Sequence, residues 1–199
     1  MSNGNGSLMR VLPLVSWHGG DDFELARDAM RQSLVTHGHL RARLCCALLC
    51  LWARRIGQGR ESETAWASAT GTLRELLPAL CRDATKHDDP LFAPLALGEW
   101  EQELEWHIRP DDDLRGRGGG YVVDTLRSAR DALREPNFEA VVKTAVALGH
   151  DTDTTACIAG GVAGLREGVD AIPARWMDAL RGKEIVAPIT DKLSRHINA

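Results

Sequence analysis

Ten consecutive residues, LCCALLCLWA from Leu44 to Ala53, carry no charged side chain and little polar surface. The run is about half the roughly 20 residues that a bilayer-spanning helix needs. A helix that is apolar on every side must be enclosed by other elements, so the stretch reads as a buried core helix. Cys45, Cys46 and Cys50 lie inside it, where cysteine behaves as a small hydrophobe. The chain has 5 cysteines, no C-x-x-C pair and no secretory pattern. They are therefore expected to be reduced and structural rather than bridged.

The rest of the chain extends the helical reading. Asp21 or Asp22 caps a segment with Phe23, Ala26, Met30 and Leu34 at helical spacing. His39 to Ile56 is the next helix, with Gly57 as its left-handed cap. Ser62 to about Ala84 reads as one or two helices, interrupted near Gly71 or Pro78. From Lys86 to Gly120 the periodicity weakens around a short helix, Glu99 to His107, whose Trp100 and Trp106 are expected to pack on the core. Asp111, Asp112 and Asp113 fit a solvated loop or cap better than a metal site. Helices resume at Tyr121 and stop before Pro136; Asn137 caps another that ends at Gly149, and a small-residue helix covers about Thr154 to Glu167. Pro173 opens a further helix, and a last one follows. No alternating pattern is long enough for a sheet. The prediction is an all-α fold, one domain over residues 1–199. A length of 199 residues at 44% hydrophobic content suits a single core. A net charge of −4 gives no basic footprint for nucleic acid. Without a signal or membrane segment, the expected compartment is the cytoplasm.

GHDTDTTACIAGGVAG, from Gly149 to Gly164, is the stretch most able to carry chemistry. Asp151, Asp153 and the hydroxyl of Thr154 meet at a helix start. Hard oxygen donors of this kind suit Mg²⁺ rather than zinc. Asp and Thr at that position also serve as ordinary N-caps, so capping and metal binding both stand on the local pattern. Ala156, Gly160 and Gly164 share one helical face, beside a row of Ala159 and Ala163, so a neighbouring helix can come close.

LGHDTDTTACIAGGVAG is similar to the C-terminal metal motif of the ADP-ribosylglycohydrolase family. SNGNGSLMRVLPL, LVTH (Leu34 to His37) and GGGYVVDTL (Gly118 to Leu126) resemble further segments of that family in the right order. The resemblance runs from residue 2 to about residue 182. It implies an all-α hydrolase with two Mg²⁺ ions that cleaves the glycosidic bond between ADP-ribose and a protein side chain or small molecule. By that resemblance Asp151, Asp153 and Thr154 are metal ligands, with Asp153 bridging, and Asp151 and Asp153 carry the catalysis. Ser2, Asn3 and Asn5 line the diphosphate and ribose pocket, aided by backbone N–H groups around Gly4 and Gly6. His37 contacts substrate from the start of its helix, and Gly120 and Tyr121 close the far side.

The family pattern also includes an earlier Gly-Asp-Ala turn, a glutamate and a Thr-Asp-Asp-Thr motif, which this sequence does not match. Asp21-Asp22 and Asp88-Asp89 lack the context to replace them. The expectation is about half of a dinuclear site, a separately encoded N-terminal half as a candidate partner, and exposed apolar surface. A binding module for ADP-ribose without catalysis is the rival expectation.

Overall fold

The apolar run forms the inner part of an 18-residue helix, Leu40–Gly57, at the centre of the computed structural model, which describes residues 3–87 and 96–197. In chain order the helices are α1 (Gly6–Met9), α2 (Pro13–Trp17), α3 (Asp22–Leu34), α4 (Leu40–Gly57), α5 (Ser62–His87) and α6 (Leu97–Gln102). A π-helical turn, Glu103–Ile108, continues α6. Then come α7 (Val122–Ala132), α8 (Phe138–Ala147), α9 (Thr152–Glu167), a 3₁₀ turn at Val169–Ala171, α10 (Ala174–Ala179) and α11 (Lys183–Ile197). Among the described residues the only extended pairing is an isolated antiparallel bridge between Gly4 and Tyr121. The fold is all-α, and no described helix is long and apolar enough to cross a membrane.

α4 is enclosed as its sequence requires, with α3, α5, α7, α9 and the π-helical turn packed around it. Its buried Arg55 is satisfied on every side: Nη2 donates to Asp22 Oδ2 at 2.8 Å and Thr72 Oγ1 at 2.7 Å, Nε to Ser68 Oγ and Nη1 to Leu51 O. That saturation is what lets a guanidinium sit in the core. Trp52 meets Trp66 edge to face at 5.2 Å, and the two indole N–H groups donate to Ser62 O and Pro110 O. All five cysteines are free, and Cys45, Cys46 and Cys50 are buried.

Several local expectations are corrected. α4 runs through Gly57, and the left-handed residue is Gly59, at φ 83°, whose N–H donates to Ile56 O. α5 is continuous through Gly71 and Pro78. Burial of Ala65, Trp66, Ala69, Leu73, Leu77 and Leu80 against the core outweighs the hydrogen bond that proline removes. Trp100 is buried as expected, but Trp106 is 69% exposed, because the wider π-helical winding turns Leu104 and Ile108 inward in its place. The acidic run is the solvated loop expected of it, and its Asp111, Asp112 and Asp113 pair at the surface with Arg74, Arg109 and Arg134. Asp88-Asp89 lies outside the described residues.

The small residues of α9 serve the close approach expected of them. A Cβ at Gly160 would lie 3.2 Å from Val142 Cγ2 of α8, and Ala159 and Ala163 are buried. The tightest point is Gly161, where a Cβ would lie 2.6 Å from Leu12 Cδ1, so the segment between α1 and α2 rests directly on α9. Gly164 meets nothing within 4 Å and takes no part in this packing.

Candidate functional site

Three segments distant in sequence meet at the N-terminus of α9. Asn3 to Asn5 leads into α1, the glycine loop Gly116 to Gly120 leads into α7, and Gly149 to Asp151 leads into α9. Their backbones are tied together: Asn5 N–H donates to Gly120 O at 3.2 Å, Val122 N–H to Asn3 O at 2.9 Å and Asp151 N–H to Gly118 O at 2.8 Å. Gly118 must be glycine here. Its φ is 73°, and a Cβ would come within 2.8 Å of Gly149 O. The turn into α9 places both Gly149 and the non-glycine His150 at positive φ, 76° and 58°, a conformation that bulky side chains rarely adopt.

At the junction the Asn5 amide donates to Asp151 Oδ2 at 2.6 Å and to Thr125 Oγ1 at 2.9 Å. Thr125 donates in turn to Gly119 O at 2.8 Å. Asp151 occupies the N-cap position, but its side chain makes no capping hydrogen bond. Its carboxylate accepts from Asn5 instead, with the backbone N–H of Thr154 also favouring the charged form. The Asn5 hydrogen bond holds the Asp151 carboxyl below the usual carboxylate range despite partial burial, with the Thr154 and Asp153 side chains adding to the effect. Asp153 is exposed and Thr154 buried, with the Thr154 hydroxyl 3.9 Å from Met9 Sδ.

Other expected residues gather nearby. Asn3 presents a buried Oδ1 that has no hydrogen-bond partner. A Cβ on Gly120 would lie 3.2 Å from Asp151 Oδ2, so this glycine lets the loop pass beside the carboxylate. Tyr121 is the N-cap of α7 and is 41% exposed. His37 lies in the α3–α4 connection rather than at the start of a helix; the cap of α4 is His39, whose Nδ1 accepts from Arg41 N–H. The His37 ring covers Gly6, where a Cβ would be only 2.9 Å from Cε1. Gly6 therefore serves a close side-chain approach. The Asn5 N–H is spent on Gly120 O and is not available to an anion. Ser2 lies outside the described residues.

Three supporting residues escape a sequence reading. Asp124 accepts from Arg117 N–H and Gly119 N–H at 2.9 and 2.6 Å, Ser128 Oγ accepts from Gly118 N–H at 3.0 Å, and Thr125 links the loop to Asn5. The i, i+4 spacing of Asp124 and Ser128 is the available signal, since it sets two acceptors on one face of α7.

Among the described residues no group of three or more His, Cys, Asp or Glu stands together. The oxygen donors at the start of α9 are the Asp151 and Asp153 carboxylates and the Thr154 hydroxyl. That set fits a hard divalent cation such as Mg²⁺, which takes one or two carboxylates and completes its shell with water. It does not fit zinc, since the nearby Cys157 faces Met9 O at 3.8 Å.

A family model described as ADP-ribosylglycohydrolase matches residues 1–199. The chain belongs to the ADP-ribosylglycohydrolase family. Within it, the chain is 28% identical over 191 residues to the ADP-ribosylarginine hydrolase Tri1 of Pseudomonas putida (strain GB-1), covering 96% of this chain and 45% of that protein. It is 25% identical over 178 residues to the ADP-ribosyl-(dinitrogen reductase) glycohydrolase of Rhodospirillum rubrum, covering 89% and 50%. A stretch of 75 residues is 46% identical to the ADP-ribosylhydrolase ARH3 of Danio rerio, covering 38% of this chain and 16% of that one. The chain thus spans about half the length of the first two relatives. The all-α expectation and the family resemblance both hold.

Proposed function

We propose that this chain contributes the α9 side of a Mg²⁺-dependent site that hydrolyses the glycosidic bond between ADP-ribose and a modified protein side chain. The arginine linkage is the first candidate, since the name of the Pseudomonas relative specifies ADP-ribosylarginine. The observation that carries this reading is the Asn5 to Asp151 hydrogen bond at 2.6 Å, which joins the two segments most able to hold ligand and metal.

Asp151, Asp153 and Thr154 would hold the ion, and when bound it would orient substrate hydroxyls and activate water. Asn5 keeps Asp151 ionised and fixes its orientation. Breaking the bond at the anomeric carbon develops positive charge, which the two carboxylates stabilise. A carboxylate held below its usual range is a weak proton acceptor, so Asp151 suits charge stabilisation and metal holding better than general base catalysis. Asn3 Oδ1, buried and unsatisfied, is a natural acceptor for a ribose hydroxyl.

A polypeptide equivalent to the remaining length of the relatives is the proposed partner, because two carboxylates balance only one of the two Mg²⁺ ions that the family resemblance implies. Binding of ADP-ribose without turnover is the second reading, supported by the same shortfall in ligands.

The test is release of ADP-ribose from an ADP-ribosylated arginine peptide, with Mg²⁺ and with chelator. Turnover that needs Mg²⁺ and is lost in Asp153→Asn supports the hydrolase. Calorimetric binding of ADP-ribose without turnover, even with a polypeptide matching the remaining length of the relatives added, supports the binding module, and failure of both overturns the assignment.

A further inference from the structure

We infer that Arg41 and Glu103 form a strut that fixes the orientation of the Tyr121 side chain at the rim of the site. The Tyr121 backbone is already held, through its bridge to Gly4 and the Val122 to Asn3 hydrogen bond. Its half-exposed ring is held by a different device. The Tyr121 hydroxyl accepts from Arg41 Nη1 at 2.9 Å, while Nε and Nη2 of the same guanidinium donate to Glu103 Oε2 and Oε1 at 2.7 and 3.1 Å.

An arginine to tyrosine hydrogen bond near the surface contributes little when both long side chains must be ordered to make it. Here the ordering is done in advance. Arg41 and Glu103 are only 14% and 17% exposed, and the planar guanidinium is held along one edge by two hydrogen bonds, so the Tyr121 torsions are the main freedom left to fix. The three residues come from the first turn of α4, the start of the π-helical turn and the cap of α7. Their sequence separations are 62 and 80 residues. The π-helical winding, which exposes Trp106, also begins at Glu103. Such irregular turns recur where a helix must aim one side chain at a functional site. Arg41 and Glu103 are positioning residues acting through Tyr121.

The effect on ligand affinity rests on the ADP-ribose reading; the strut itself does not. Tyr121 is the only tyrosine in the chain, so a ζ-carbon label gives a single NMR resonance. Glu103→Gln does not alter the group that donates to Tyr121, yet it is expected to shift or broaden that resonance while thermal melting stays cooperative. Arg41→Met should move it further. Arg41→Lys should not restore it, because an ammonium cannot bind both carboxylate oxygens in the fork geometry. A resonance unmoved by Glu103→Gln overturns the strut.

In calorimetry, Glu103→Gln is expected to weaken ADP-ribose binding by roughly three- to tenfold, and to add nothing in a Tyr121→Phe background, the signature of residues acting through one contact. Equal losses in both backgrounds overturn the proposed route. If the unmodified chain does not bind ADP-ribose, the functional reading fails, and the tyrosine resonance alone decides the strut.

Discussion

At the scale of single residues, Asn5 carries more of the site than any other side chain. It is 9% exposed, its amide serves two acceptors, and its N–H closes the backbone pairing with Gly120. Asn5→Ala keeps the backbone bond and removes both amide bonds. Thr125 Oγ1 retains its contact with Gly119 O, whereas the Asp151 carboxylate loses its donor. The expected cost is about 1 to 3 kcal/mol in urea denaturation at neutral pH. Asn3, Asn5, Gly120, Tyr121 and Asp151 were legible in the sequence because they belong to recognisable runs, and the structure brings them together. The glycine loop's anchors, Asp124 and Ser128, and the strained His150 were not. Their partners are loop backbone groups, which leave no mark in composition or motif.

At the scale of elements, α4 begins on a histidine cap, and this makes its first turn sensitive to pH. His39 Nδ1 accepts from Arg41 N–H at 3.1 Å, which requires that nitrogen to be unprotonated. Burial lowers the His39 pKa from its ordinary value, with Arg41 and His107 adding to the effect and Glu103 opposing it. The folded chain therefore binds fewer protons at this site than the unfolded chain. His39 contributes its full stability above the unfolded value of about 6.5, and that contribution is lost as pH falls from there toward the folded pKa. His39→Asn keeps a capping acceptor without the titration. It is expected to flatten the pH dependence of the urea midpoint between about pH 5 and 7, a range set by the unfolded histidine value. Helix positions were legible because capping residues and apolar periodicity coincide: Asp21 forms a capping box with Glu24, and Asn137 accepts from Ala140 N–H. Continuity was not. Whether Gly57, Gly71 and Pro78 break a helix depends on burial against distant partners, and no local pattern reports that.

At the scale of the whole molecule, the C-terminal helix stands apart from the core. α11 packs on α2, with Trp17 and His196 stacked at 3.8 Å, and its Ile185, Val186, Ile189 and Ile197 remain exposed. These four side chains lie outside the core and are distinct from the exposed core surface that the sequence led us to expect. Because α11 lends the core so little, removal of residues 183–197 should shift Tm by no more than about 3 °C. It should also reduce binding of an apolar dye, measured on the same sample. The core has the opposite geometry. Asn5 and Asp151 are 146 residues apart in the chain, and Asn5 and Thr125 are 120 apart. Closing a loop of that length costs chain entropy that local contacts do not, so the asparagine segment and its carboxylate partner meet only after much of the intervening chain has folded. The junction of Asn5 with Asp151 and Thr125 is therefore among the last contacts of this chain to form.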